Sequence, residues 1–287
     1  MEKLDMKKAL PLIKMAIEED VGSGDVTSKL FFDSRESGKA NIVSREEIVV
    51  CGMDVASQVL RIIDKRLRLK VLAGDGKKVC KGKKVGVIEG PLRSMLSAER
   101  VMLNFLQKLS GIATVTNKYV QAVHGTKAKI YDTRKTTPGW RLLEKYAVRC
   151  GGGHNHRLGL YDGVLIKDNH LAELGDNLQG GLEKIISDAG KLKCIKFVAV
   201  EADNLNQLKK VLAVKGIDVV LLDNMKIDQL KRAVEIRNKL CGKRPLLEAS
   251  GKVTLKNVSA VAKSGVDRIS VGAITHSAVA VDIGLDR

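Results

Sequence analysis

The chain has 287 residues, 44% of them hydrophobic and 29% charged, a balance that fits a folded globular protein and excludes a disordered one. A net charge of +17 favours anionic partners. Aromatic residues amount to only 3%, too few for a surface that stacks nucleic-acid bases, and no five basic residues stand in a row. No apolar run approaches the roughly 20 residues that span a bilayer. The first residues carry acids and no signal-like apolar core, so a cytoplasmic protein is expected, without membrane or nucleic-acid partners. Five scattered cysteines with no Cys-x-x-Cys pair argue against a disulfide framework or a structural zinc site.

In chain order, Leu10, Ile13, Ala16 and Ile17 recur at helical spacing and predict an amphipathic helix over 6–19. It stops before Val21-Gly-Ser-Gly-Asp-Val26, read as a turn. Residues 39–50 read as strands around a turn, 55–63 as a helix and 67–72 as a strand. The Gly- and Lys-punctuated stretch 74–90 reads as tight β-hairpins. It resembles the hairpin pair of biotinyl or lipoyl carriers, but Pro91 stands where the modified lysine's surroundings would be. Pro91 opens a helical region whose buried side carries Met95, Met102, Phe105, Leu106 and Leu109. Gly111 is expected to end or kink that helix, which resumes over 112–123.

From residue 127 the texture changes. Six apolar runs (127–132, 163–166, 195–200, 217–222, 245–249 and 266–271) each end on polar or glycine residues. Helix-like segments at 140–148, 180–189, 205–214, 229–240 and 255–262 separate them. Such alternation predicts a parallel sheet with right-handed crossovers. Polar residues after every strand favour a β/α barrel, which builds chemistry at its strand C-termini, over an open sheet with one switch point. Residues 278–285 are expected to pack back on the N-terminal part. The fold class is thus α/β, with an N-terminal domain over 1–110 joined by 274–287, and a barrel over 111–273.

The strand ends supply Arg134 and Lys135, Lys167, Glu201, Asp223, Ser250-Gly251 and Gly272, and His156-Arg157 hangs nearby on a glycine-rich loop. Cations crowd together when an anion sits between them. Arg134 and Arg157 suit bidentate carboxylate recognition. Two carboxylates on neighbouring strands can hold Mg²⁺, directly or through its waters, or bond sugar hydroxyls. Backbone N–H groups at 250–251 and 272–273 suit a phosphate. A carboxylated base and a metal-bound ribose diphosphate would use all of these, which implies phosphoribosyl transfer. His154 and His156 lack a nearby third ligand and are not read as a zinc pair.

The motifs resemble those of the quinolinate phosphoribosyltransferase family over nearly the whole chain. They include Glu19-Asp-Val-Gly-Ser-Gly-Asp-Val-Thr27, Ser97-Ala-Glu-Arg-Val-Met-Leu-Asn-Phe-Leu106 and Ser110-Gly-Ile-Ala-Thr114. Asp132-Thr-Arg-Lys-Thr-Thr-Pro138, Gly151-Gly-Gly-His-Asn-His-Arg157 and Lys167-Asp-Asn-His170 follow. Glu201, Asp223-Asn-Met225, Glu248-Ala-Ser-Gly251 and Ser270-Val-Gly-Ala-Ile-Thr-His276 complete the set.

The resemblance implies a hammerhead-like α/β domain, an incomplete β/α barrel, and a homodimer or an assembly of dimers. It implies transfer of phosphoribose from phosphoribosyl diphosphate to quinolinate with loss of CO₂, using Mg²⁺, in NAD biosynthesis. Carried over, Arg134, His156 and Arg157 bind the two quinolinate carboxylates, and Arg100 reaches into the neighbouring subunit's site. Lys135 and Lys167 contact phosphates or the reacting centre. Glu201 and Asp223 hold ribose hydroxyls and Mg²⁺. Thr133 is a further substrate contact, and Ser250, Gly251, Lys252, Val271, Gly272 and Ala273 form the phosphate turns. Lys252 departs from the small or neutral residue usual there, so its role stays open. The alternatives are a transferase for nicotinate or another carboxylated base, a paralogue linked to molybdenum transport, and, from another class, a basic nucleic-acid-binding protein.

Overall fold

The computed structural model describes residues 3–287. Along the chain the elements are α1 (Met6–Val21), α2 (Val26–Phe31), β1 (Ser37–Ser44), β2 (Ile48–Val49), α3 (Met53–Ile63), β3 (Arg68–Val71), β4 (Lys78–Val79), β5 (Lys84–Pro91) and α4 (Leu92–Ala122). Then come β6 (Lys129–Tyr131), α5 (Arg141–Cys150), β7 (Val164–Ile166), α6 (Asp168–Ala172), α7 (Leu178–Gly190), β8 (Val198–Ala202), α8 (Leu205–Leu212) and β9 (Val219–Asp223). The last are α9 (Ile227–Cys241), β10 (Leu246–Ser250), α10 (Val258–Lys263), β11 (Arg268–Ser270), α11 (Ala273–His276) and β12 (Ile283–Asp286). By packing, the chain forms two compact units. One contains the described residues up to Asn117 with Thr136–Gly152 and Ile274–Arg287; the other contains Lys118–Lys135 and Gly153–Ala273.

In the first unit, an antiparallel sheet runs β12-β1-β5-β3 and a smaller one pairs β2 with β4. The C-terminal segment does return, with Asn41 opposite Asp286 and Ser44 opposite Ile283. The hairpins expected over 74–90 are absent: β4 pairs with β2, and β5 with β1 and β3. Alternating apolar residues announce strands, but the choice of partner is made by distant burial. The Gly-Ser-Gly-Asp turn is a helix start, in which the Asp25 carboxylate accepts the Ser28 N–H at 2.9 Å and caps α2. Asp75 does the same for α3, accepting the N–H groups of Gly52 and Met53 at 3.0 Å each and the Tyr146 hydroxyl at 2.8 Å.

Helix α4 continues through Gly111 and does not end there. The glycine is there for space: a Cβ at 111 would lie 2.1 Å from the carbonyl oxygen of Val279. The sequence grouped α5 with the barrel because it follows β6, as a barrel helix would. Packing puts it in the first unit, where Trp140 stacks on Phe105 of α4 at 5.0 Å. Gly151, at the end of α5, faces the Ala113 carbonyl, which a Cβ would approach to 2.4 Å.

In the second unit all six expected apolar runs are strands, parallel and in the order β6-β11-β10-β9-β8-β7. Each strand from β7 to β10 pairs with its successor, and β11 returns to pair with β6. This is an incomplete β/α barrel, open between β6 and β7. Strand β8 is buried at every residue and β9 at all but its last, as strands covered on both faces are. Parallel pairing in register brings the carboxyl ends of the strands to one level.

Gly111→Ala should destabilise the protein by about 1–3 kcal/mol, the usual cost of overpacking a filled site. Thermal melting checks this: the variant should melt several degrees lower, and an unchanged melting temperature would mean that α4 and the 279–280 backbone separate freely.

Candidate active site

Asp132 follows β6 and is fully buried. Its carboxylate accepts the His156 N–H at 2.8 Å and the Asn155 side-chain amide at 2.6 Å. Asp162 accepts the N–H groups of Leu158 and Gly159, both at 3.0 Å. Two aspartates thus hold the 155–159 segment from its two ends. Its Arg157 donates from Nη1 to the Gly163 carbonyl at 3.0 Å. Burial, and then the positive charge of Arg134, push the Arg157 guanidinium below its ordinary pKa, with Asp162 opposing. Two half-buried guanidiniums that repel each other form a ready site for an anion. Beside them the Thr133 hydroxyl accepts the Lys135 N–H at 3.0 Å, and the Lys135 side chain is exposed.

Across the strand ends lies the opposite charge. Glu201 on β8, Asp203 just beyond it and Asp223 at the end of β9 bring carboxylate oxygens within 4.8 Å of one another. Pairing of Glu201 with Leu221 and of Ala202 with Leu222 brings Asp203 level with Asp223. Burial raises the Glu201 pKa; Lys167 Nζ, 3.9 Å away, opposes this, and Asp223, Asp168 and Asp203 add to it. Burial and the charges of Asp168 and Asp223 also raise Asp203.

The turns after β9 and β10 lock together. The Asn224 N–H donates to the Ser250 carbonyl at 2.9 Å, and Asn224 and Lys252 both have positive φ, 51° and 49°. Gly251 has φ +93°, and a Cβ there would meet the Asn224 side-chain oxygen at 2.2 Å, so glycine is required. The Lys252 side chain is exposed, while its carbonyl accepts the Asn257 amide at 3.0 Å. Val271 is buried and donates its N–H to Tyr131 at 2.9 Å; Gly272 and Ala273 lead from β11 into α11.

The second unit therefore contains every expected site residue but one: Thr133, Arg134, Lys135, His156, Arg157, Lys167, Glu201, Asp223, Ser250, Gly251, Lys252, Val271, Gly272 and Ala273. Arg100 lies exposed on α4 in the first unit. Sequence reasoning missed Asp203 and the anchoring role of Asp132 and Asp162. Asp203 had a signal, since residues two apart at a strand end share a face. Asp132 had none, because its task depends on a segment more than twenty residues away. Among the described residues neither His154 nor His156 joins a group of three metal-ligand side chains. Cys51, Asp75 and Cys150 do form such a group, but Asp75 already serves as a helix cap, and burial pushes the Cys51 thiol well up. They are packing thiols beside a structural carboxylate. A cavity of 220 Å³ opens beside Val198 and Asp218, at the amino-terminal end of β8 and β9, away from the arginine pair and the Glu201–Asp203–Asp223 cluster.

An arginine pair and a carboxylate cluster at the C-terminal mouth of parallel strands define a β/α-barrel enzyme for anionic substrates. The chain belongs to the quinolinate phosphoribosyltransferase family: residues 25–110 match the model of its N-terminal domain and 112–286 that of its C-terminal domain. It is 43% identical over 277 residues to a nicotinate-nucleotide pyrophosphorylase (carboxylating) of Mycobacterium leprae, covering 96% of this chain and 95% of that one. It is 38% identical over 296 residues to a mitochondrial quinolinate phosphoribosyltransferase (decarboxylating) of Nicotiana tabacum, covering 98% and 82%. The structure of the nicotinate-nucleotide pyrophosphorylase from Francisella tularensis superposes with a TM-score of 0.89 at 41% identity, over 99% of this chain and 97% of that one.

The raised pKa values of Glu201 and Asp203 make the charged cluster unfavourable in the folded protein. A folded-state pKa above the unfolded value costs stability above it and nothing below the unfolded one. Without added metal, Asp203→Asn should therefore melt roughly 1–2 °C higher than the parent at neutral pH. The difference should shrink with added salt and vanish as the pH falls toward about 4, where carboxylates protonate. A lower melting temperature at neutral pH would refute this account.

Proposed function

We propose that this chain transfers the phosphoribosyl group of phosphoribosyl diphosphate to the ring nitrogen of quinolinate, releasing diphosphate and CO₂ and leaving nicotinate mononucleotide. Membership of the family supports the reaction, and the relatives' names describe it in its two directions. The observation that carries the substrate assignment is the repulsive pair Arg134 and Arg157. Two guanidiniums match a base with two carboxylates, whereas nicotinate offers one.

In this reading Arg134, Arg157 and His156 hold the quinolinate carboxylates and present the ring nitrogen to C1 of the ribose. Fixing two substrates in line removes much of the entropic barrier to their meeting. The nitrogen attacks C1 as the C1–oxygen bond to diphosphate breaks, through an oxocarbenium-like transition state. Glu201 and Asp223 bind ribose hydroxyls, and Lys135 and Lys167 stabilise the negative charge that collects on the leaving oxygens. The turns at Ser250–Lys252 and Val271–Ala273 hold the 5′-phosphate. Once the ring nitrogen carries the ribose and is cationic, its charge stabilises the electron pair left on the adjacent ring carbon when that carbon's carboxylate leaves as CO₂, and the carbon then takes a proton from water to give nicotinate mononucleotide.

The carboxylates fit Mg²⁺: they are oxygen donors, close together, and raised by burial and mutual repulsion that a divalent cation would relieve. Glu201 and Asp223 would hold it, with Asp203 a third donor. When bound, the ion supplies charge neutralisation for the departing diphosphate.

Purified protein with quinolinate, phosphoribosyl diphosphate and Mg²⁺ should release CO₂ and form mononucleotide in equal amounts. Turnover of nicotinate without turnover of quinolinate would sink the assignment. As a cytoplasmic homodimer, the protein would place Arg100 of one subunit in the base-binding site of the other. Arg100→Ala subunits mixed with Glu201→Gln subunits should then recover part of the activity that each lacks alone; confirmed mixed dimers without recovery would exclude a shared site.

A further inference from the structure

Glu248 and Arg268 lie opposite each other in the register of β10 and β11, both facing the interior. Glu248 is fully buried and Arg268 is 8% exposed. Arg268 Nε stands 2.6 Å from Glu248 Oε2 in an ion pair. Removing two charges from water is costly, and an apolar pair of similar volume is often as stable or more so. Stability alone therefore gives no reason for these residues, but their contacts do.

Glu248 Oε1 accepts the Ser270 hydroxyl and lies 3.6 Å from His156 Nε2. On the other side of that imidazole, Nδ1 accepts the Arg157 backbone N–H at 2.8 Å. A backbone N–H can only donate, so Nδ1 carries a lone pair and the ring hydrogen sits on Nε2, toward the carboxylate. Phe197 packs edge-on against the same ring at 5.3 Å. Meanwhile the Arg268 guanidinium lies 3.8 Å over the ring of Tyr131, which stacks on His154 at 5.2 Å. One ion pair thus touches the supports of His154 at one end of the 154–157 segment and of His156 at the other.

We propose that Glu248 and Arg268 are positioning residues for base binding, bracing the 154–157 segment by holding the His156 ring and the Tyr131–His154 stack in place. The proposal rests on the reading above that this segment binds the pyridine dicarboxylate. Neither residue contacts substrate; the chain of effect runs from Arg268 to Glu248, to His156, to the backbone of Arg157.

The test uses the full-length protein as Glu248→Gln, Arg268→Met and the double variant, which removes both charges together. The single variants leave one buried charge unpaired and should melt lower; the double variant should recover most of that loss. In the folded double variant the KM for quinolinate should nonetheless rise about tenfold, the scale on which outer partners of a ligand-binding imidazole act, with the KM for phosphoribosyl diphosphate within about twofold of the parent. Nitrogen NMR of the imidazoles should show the His156 proton on Nε2 in the parent and a shifted Nε2 resonance in the double variant, where the facing carboxylate is gone. Recovery of both melting temperature and quinolinate KM, or equal changes in both KM values, would overturn the positioning role and leave the pair purely structural. A parent protein that fails to turn over quinolinate would overturn the substrate reading; the imidazole spectra would then decide the brace alone, with an unchanged His156 Nε2 resonance counting against it.

Discussion

Arg134 and Arg157 repel each other across the strand ends, and the positive side of the mouth depends on how the backbone that carries Arg157 is held. The constraint comes from Asp132. A buried carboxylate without partners would be costly, so it takes the His156 N–H and the Asn155 amide and pins the loop that carries Arg157. Arg157 in turn spends one N–H on the Gly163 carbonyl, which fixes where its guanidinium points. Positive charge is gathered there against Coulomb repulsion by hydrogen bonds within the protein. A dicarboxylate entering such a site meets donors already aimed, and little of its binding energy goes into ordering them.

The same logic, with the sign reversed, governs the far side of the mouth. Glu201, Asp203 and Asp223 face one another because parallel register brings the ends of β8 and β9 to one level. Lys167 offsets part of the repulsion on Glu201, and burial keeps the rest from being screened away. The site is thus a pair of opposed, strained charge clusters. Each is unfavourable alone, and a substrate pair carrying carboxylates on one partner and a metal-bound diphosphate on the other would relieve both. Below them Glu248 and Arg268 are a third charged layer, buried rather than presented, and their contacts run to the loop histidines instead of to the mouth.

The two units are built on different principles, and that shaped what could be read from the residues. The barrel strands are covered on both faces and written as short unbroken apolar runs, so all six were visible as runs ending in polar residues. The first unit uses half-buried antiparallel strands, whose periodicity shows that strands exist but not which ones meet. The 74–90 stretch is the instance: β4 and β5 are neighbours in sequence, yet they join different sheets. Gly111 misled for a related reason. A glycine inside a helix pattern signals a break only when the chain is considered alone; here the approach of the 279–280 backbone requires it.

Local sequence was enough to read the alternation of strands and helices, the strand ends that carry Arg134, Lys167, Glu201 and Asp223, and the family, through motifs spread over the whole chain. These are local properties: a strand ends where its apolar run ends, and the polar residue there is exposed to whatever the mouth binds. Long-range packing brings Asp203 into the acid cluster, makes Asp132 the anchor of a loop beyond the next helix, and lays Arg268 over Tyr131 against Glu248. Each of those facts is a pairing between residues far apart in the chain. Such pairings follow from strand register and burial, which no single stretch of sequence contains.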